Sequence, residues 1–239
     1  MKYLNFANPV SGNGKPEFLM TLIDLSPSMD DDDWKPTRKA GAIAANTELI
    51  KAKAKCHPQD KLGIIGFSRH AWLLHDPVCL RNGTESLLRV LENPSGGYST
   101  NFTDALELAE SCLFDVKRKP ANKFFSKMLT GLIYEADQDP VVPTNPFGNG
   151  AGELKRIILL TDGEHNGSES PQPVADRLKN AGVVIDCIGI GGTPTDVDEQ
   201  LLNTIASRNS DGTIRYCFIG DQQALIRKYE TLARHIRPA

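Results

Sequence analysis

"FLMTLIDLSPSMDDDDWKP" spans residues 18–36 and opens with a short, continuous apolar run that stops at an aspartate. Such a run, Phe18 to Asp24, predicts a strand buried on both faces, as in a parallel sheet covered by helices. Two serines follow at alternate positions, Ser26 and Ser28, and then four consecutive aspartates, Asp30 to Asp33. Adjacent carboxylates repel one another, so their crowding beside a hydroxyl-rich turn calls for a counter-charge or a helix N-terminus.

The rest of the chain alternates in the same way. Small or apolar residues recur at Ala40, Ile43, Thr47, Ile50 and Ala54, the three-and-four spacing of an amphipathic helix over 36–55. "KLGIIGF" (61–67) reads as a second strand and "AWLLH" (71–75) as its antiparallel partner at the sheet edge. Helices are expected at 84–91 and from about 102, the latter with Ala105, Ala109, Cys112 and Val116 on one face. "RIILLTD" (156–162), "VVIDCIGIG" (183–191) and "TIRYCFI" (213–219) are further strands. Helices are expected between them: "PVADRLKNAG", closed by Gly182, then 196–207, and 221–235 after the last strand. The expected fold is therefore α/β: a Rossmann-like, open, mainly parallel sheet of about six strands, with one antiparallel edge strand and helices on both faces. The whole chain, 1–239, reads as a single domain. Residues 1–16 form an N-terminal extension and 117–153 a loop-rich insertion, in which 123–136 have helical character.

Composition narrows the function. The 239 residues are 40% hydrophobic and 24% charged, with a formal net charge of −3, so no global field favours nucleic acid or an anionic membrane. The densest basic cluster, "KAKAKCH" (51–57), reads as the solvated end of a helix. Five cysteines without CxxC spacing suggest reduced, mostly buried thiols in a reducing compartment. Neither an apolar segment of signal-peptide length nor a membrane span is evident, so a cytoplasmic protein is expected. "GIGGTP" (189–194) places Pro194 where a dinucleotide loop needs its third glycine. No lysine-bearing phosphate loop or HExxH pattern occurs, and Ser26 stands where an Asp-x-Asp phosphatase needs an acid. His70 and His75 read as structural, and His165 as a solvated loop residue.

Asp24 and Asp162 both end buried strands, which places them at the carboxyl edge where open sheets bind ligands. With Ser26, Ser28 and the 99–103 loop they form an all-oxygen donor set suited to a hard divalent cation.

"DLSPSM", "GGYSTNFTDAL" and "ILLTDGEHNG" resemble, in this order, the three metal-site segments of the von Willebrand factor type A (VWA) domain family. The resemblance runs from about Phe18 to the last helix and implies a metal-ion-dependent adhesion site at Asp24, Ser26, Ser28, Thr100 and Asp162. Thr100 matches better than Thr103, because Ala105 and Leu106 then fall at the family's small and Leu/Ile positions, five and six residues after the threonine. The 117–153 insertion and the aspartate run depart from the commonest members. Integrin β-subunit domains, a subgroup, carry a methionine and paired acids that bind an adjacent Ca²⁺. Met29, Asp31 and Asp32 match those positions, which leaves a second cation site open beside the helix-start reading. The resemblance further implies a stand-alone, cytosolic, bacterial-type interaction module rather than an enzyme. Mg²⁺, or Mn²⁺ or Ca²⁺, would dock an exposed Asp or Glu of a protein partner, in a multi-protein system such as an AAA+ ATPase, stress or defence assembly. The alternative is a metal-dependent hydrolase using the same site, for which Glu164 and His165 are the only candidate bases.

Overall fold

The computed structural model of the protein describes residues 15–115 and 153–234. Among these residues one six-stranded sheet runs in the order β3-β2-β1-β4-β5-β6. The strands are β1 (Glu17–Asp24), β2 (Lys61–Phe67), β3 (Ala71–Cys79), β4 (Leu154–Thr161), β5 (Val184–Ile190) and β6 (Tyr216–Ile219). All neighbours are parallel except β2 and β3. The helices are α1 (Arg38–Cys56), α2 (Leu80–Val90), α3 (Phe102–Phe114), α4 (Gln172–Asn180), α5 (Glu199–Ile205) and α6 (Gln222–Ala233). The expected α/β architecture, with its antiparallel edge strand, is what the chain adopts.

Side chains alternate across the sheet, so each strand feeds two cores. Leu19, Ile23, Ile158, Leu160, Ile188 and Ile190 pack toward Ala45, Leu49, Leu225 and Tyr229 of α1 and α6. Met20, Leu22, Ile157, Leu159, Ile185 and Cys187 pack toward Phe102, Leu106, Leu178 and Leu202 of α3, α4 and α5. Each buried Leu or Ile contributes about 1.5–3 kcal/mol relative to exposure. Side-chain caps start α1 and α3: Thr37 accepts from Ala40 N–H and Asn101 from Asp104 N–H, each worth about 1 kcal/mol. Gly182 takes φ +83° just past α4, the left-handed position that favours glycine.

Several local expectations are revised. Strand β3 continues through Pro77 to Cys79, because an edge strand tolerates proline where it has no ladder partner. Helix α2 accordingly begins at Leu80, four residues before the expected start. The expected 196–207 helix is a 3₁₀ turn at Pro194–Asp196 followed by α5. The last strand is only Tyr216–Ile219, since residues 208–214 turn back on themselves. Cys187 is buried, Cys56 is exposed and the other three cysteines are partly covered.

The basic cluster is only partly solvated. Lys51 is exposed, but Lys53 is 1% exposed and bridges Glu17 (2.5 Å) and Asp60 (2.8 Å). Arg156 continues this network to Asp186 (2.6 Å), and Arg215 joins Asp186 at 3.0 Å. These groups line the amino-terminal edge of the sheet. The described residues flanking the insertion, Asp115 after α3 and Glu153 before β4, are at this same edge, where Glu153 pairs with Lys61. An eight-residue strand spans roughly 26 Å, which separates this edge from the one carrying Asp24. The helical character of 123–136, most of the 117–153 insertion and residues 1–14 of the extension lie outside the described residues. No helix among the described residues is long and apolar enough to cross a membrane.

Candidate metal centre

Strand order reverses direction between β1 and β4: the chain proceeds outward to β2 on one side and to β5 on the other. Loops diverge at such a switch point and leave a crevice at the carboxyl edge. Asp24 is the last residue of β1, and Asp162 directly follows β4. Both are buried, as are Ser26 and Thr100.

The contacts are continuous. Asp24 Oδ1 accepts the Ser26 backbone N–H at 2.8 Å, and Asp24 Oδ2 accepts the Thr161 hydroxyl at 2.6 Å. The Ser26 and Ser28 hydroxyl oxygens are 3.1 Å apart. Ser28 donates to Asp162 Oδ1 at 2.9 Å. Thr100 faces the same space: a Cβ placed on Gly163 would be 3.6 Å from Thr100 Oγ1 and 3.9 Å from Ser28 Oγ. All five expected ligand residues thus surround one crevice.

The loop carrying Thr100 is held from several sides. Gly97 N–H donates to the Leu25 carbonyl at 3.1 Å, Asn101 N–H to the Ser68 carbonyl at 2.8 Å, and Asn166 N–H to Thr100's own carbonyl at 2.7 Å. A Cβ on Gly96 would meet the Leu25 carbonyl oxygen at 2.3 Å, so only glycine allows this approach. Ser99 adopts φ 67°, a left-handed conformation that costs on the order of 1 kcal/mol and turns the chain into Thr100. Thr103, the other candidate threonine, donates to the Glu169 carbonyl at 2.6 Å and is already committed.

The electrostatics follow from burial. Asp24 is pushed up to about 7, first by desolvation and then by the charge of Asp162. Burial also raises Asp162, against the lowering effect of hydrogen bonds from Ser28 and Arg38. Among the described residues no cationic side chain pairs with Asp24. Two close, buried carboxylates with hydroxyls between them, of which only Asp162 has a cationic partner in Arg38, form an all-oxygen donor set. That donor set fits a hard divalent cation.

Two contributors escaped the sequence reading. Thr161 orients Asp24, although it stands next to an expected ligand in "LLTDGE". Arg38, the first residue of α1, donates to Asp162 Oδ2 at 3.1 Å and to both oxygens of Asp33 at 2.9 and 2.6 Å. It also reaches Asp196 at 3.1 Å. Its hydrogen bonds hold the Asp33 carboxyl below the usual range.

These contacts account for much of the aspartate run. It does not enter a helix N-terminus: α1 begins at Arg38 with no acid in its first turn. Asp30 pairs with Lys39, Asp33 with Arg38, and Asp31 is 4.0 Å from Arg38. Asp31 and Asp32, the possible second site, are both exposed.

His165 is not simply a solvated loop residue. Its Nδ1 accepts the Phe102 N–H at 3.1 Å, so Nε2 carries the proton and donates to the Glu169 carbonyl at 2.8 Å. His75 likewise has both ring nitrogens engaged, by the Asp76 carbonyl and Ser86.

Comparison with known proteins agrees with the fold. The solved VWA protein of Catenulispora acidiphila superposes with a TM-score of 0.62 at 17% identity, over 92% of this chain and 42% of that one. Mussel-byssus proximal thread matrix protein 1, solved with a zinc-occupied MIDAS motif, gives 0.61 at 18%, over 92% and 47%. BatB of Bacteroides thetaiotaomicron gives 0.55 at 18%, over 92% and 100%. The chain thus spans less than half of the first two. No curated protein matches the sequence. A family model described as the von Willebrand factor type A domain matches residues 19–165, and a second of the same description matches 147–226. The first match covers more than half of the chain and contains the whole crevice, and the chain belongs to the von Willebrand factor type A domain family.

Proposed function

We propose that this protein is a metal-dependent protein-interaction module. In this reading Asp24, Ser26, Ser28, Thr100 and Asp162 hold Mg²⁺, or Mn²⁺ or Ca²⁺. The observation that carries it is the buried Asp24–Asp162 pair with hydroxyl groups between its members. When bound, the cation would supply an electrophilic docking point for an Asp or Glu of a partner protein. Ser26, Ser28 and Thr100 contribute oxygen without charge, so the two aspartates do not neutralise more than a divalent ion carries. Thr161 and the Ser26 N–H keep Asp24 in place. Tyr98, two residues before Thr100, is 83% exposed. An exposed aromatic ring on the loop that carries Thr100 is the kind of side chain that anchors protein interfaces.

A hydrolase acting through the same site needs a base beside it. His165 has both ring nitrogens engaged, by the Phe102 N–H and the Glu169 carbonyl, which disfavours it for that role. A cytoplasmic setting rests on the cysteine usage of the sequence, and membership of an assembly such as an AAA+ ATPase, stress or defence system rests on the family resemblance alone. Capture of partners on the immobilised protein, with Mg²⁺ and with chelator, tests the function. The partner is expected to be retained only with metal and lost for Thr100→Ala, and Tyr98→Ala is expected to weaken its capture while leaving Mg²⁺ binding intact. A complex that survives both chelator and Thr100→Ala would place the interface elsewhere.

A further inference from the structure

Arg38 is 7% exposed, and each of its three guanidinium nitrogens is engaged by a carboxylate. It joins three separate loops at the carboxyl edge: the aspartate run through Asp33, the end of β4 through Asp162, and the turn after β5 through Asp196. The last turn is itself tied together, since Asp196 accepts the Gly192 N–H at 2.9 Å and the Thr193 hydroxyl at 2.8 Å. Trp34 adds a bond from its indole N–H to the Gly191 carbonyl at 3.2 Å.

We propose that Arg38 is a fixed counter-charge that sets how tightly the metal centre holds its cation, with Asp33 and Asp196 as the groups that moderate it. The inference rests on the metal-centre reading above and concerns a residue outside the five expected ligands.

A guanidinium stays protonated at any pH the folded protein meets. Its positive charge sits on Asp162 Oδ2, while Oδ1 faces the hydroxyl of Ser28. Arg38 therefore has two opposed effects. It holds the Asp162 carboxylate in one orientation, which favours binding. It also places a permanent positive charge next to a divalent cation, which disfavours it. The charge effect is the larger. Repulsion scales with the product of the charges and is weakly screened at a buried site, whereas Asp162 keeps its Ser28 bond when Arg38 is removed. Asp33 and Asp196 pull the guanidinium's field outward, away from the centre. The aspartate run then has a role that needs no second cation: Asp33 keeps Arg38 from excluding the first.

Calorimetric titration of the full chain with MgCl₂ tests this. Arg38→Gln is expected to bind Mg²⁺ at least tenfold more tightly than wild type, an effect opposite to that of losing a merely structural contact. Arg38→Lys, which keeps the charge, is expected to return the Kd toward the wild-type value. Asp196→Asn, which touches neither Asp24 nor Asp162, is expected to weaken binding at least threefold. It also keeps the test decisive if Arg38→Gln fails to fold. Binding by Arg38→Gln equal to or weaker than wild type, or by Asp196→Asn unchanged or tighter, overturns the proposal. Binding by wild type that is lost in Asp24→Ala keeps the centre, so that such a failure falls on Arg38 alone. Wild-type protein that binds no Mg²⁺ removes the centre and this inference together.

Discussion

Thr161, the last residue of β4, donates its hydroxyl to Asp24 Oδ2 across the strand pair at 2.6 Å. The residue preceding one centre aspartate thus positions the other, and the same Thr161 oxygen accepts the Gly163 N–H at 3.1 Å. Thr161→Val keeps the shape and removes both bonds. It is expected to lower stability by about 2 kcal/mol, as for a buried hydrogen bond to a charged group, and to weaken Mg²⁺ binding about tenfold. Denaturant unfolding and calorimetry read the two effects separately.

The raised Asp24 carboxyl gives a pH dependence with a definite sign. Its unfolded value is about 3.9, and its folded value is about 7 without metal. The folded state therefore binds the proton more strongly. This group's contribution to metal-free stability is fully present below about pH 4 and falls away as pH rises toward about 7. A cation must displace that proton, so Mg²⁺ affinity is expected to drop by up to tenfold per unit as pH falls below about 7. Melting curves in chelator at pH 5 to 8 check the first statement by comparison with Asp24→Asn, which should lack that slope. Titrations over the same range check the second, and a flat Mg²⁺ affinity would contradict it.

Thr100 and Thr103 are separated by function rather than by position in the loop. Thr100 faces Ser28 and Gly163, whereas Thr103 is bonded to the Glu169 carbonyl. Thr100→Ala is expected to abolish or greatly weaken metal binding with little change in melting. Thr103→Ala is expected to cost about 1 kcal/mol of stability and leave the metal affinity near wild type. The opposite pattern would exchange their roles.

Ca²⁺ stoichiometry addresses the rest of the aspartate run. With Asp30 and Asp33 paired to Lys39 and Arg38, one Ca²⁺ per chain is expected, unchanged in the Asp31→Asn, Asp32→Asn double variant. A second Ca²⁺ that disappears in that variant would assign Asp31 and Asp32 to a site of their own.

Lys53 shows what the sequence conceals. Its partners Glu17 and Asp60 are distant in the chain or across a turn, and nothing in "KAKAKCH" distinguishes it from Lys51 and Lys55. Lys53→Ala leaves two buried carboxylates without their ammonium and is expected to destabilise by about 3–5 kcal/mol. Thermal and denaturant unfolding measure this directly.

The same contrast explains how much of the molecule could be read in advance. The sheet was legible because each buried strand is a contiguous apolar run, and strand β2 matches its expected bounds residue for residue. Asp24, Ser26 and Ser28 were legible as a set because a two-residue spacing places them together at a strand end. Asp162 followed from its strand end and the 99–103 loop from its place before a helix, whereas Thr100 within that loop came from the family resemblance. Arg38 was not legible: its carboxylate partners lie 5, 124 and 158 positions away, and only the assembled sheet edge brings them within reach. Helix and strand ends at 76–84 and 194–207 were misplaced, because β3 runs on through Pro77 to Cys79, which brings α2 forward to Leu80, and a 3₁₀ turn at Pro194–Asp196 precedes α5.

Calorimetric titration of the wild-type chain and of Asp24→Ala with Mg²⁺ tests the central claim most directly. Wild type is expected to bind one Mg²⁺, while Asp24→Ala shows no binding yet still unfolds cooperatively, since its strand remains packed by Leu19, Leu22 and Ile23. Undiminished Mg²⁺ binding by the folded variant would contradict the assignment of the centre to the crevice between β1 and β4.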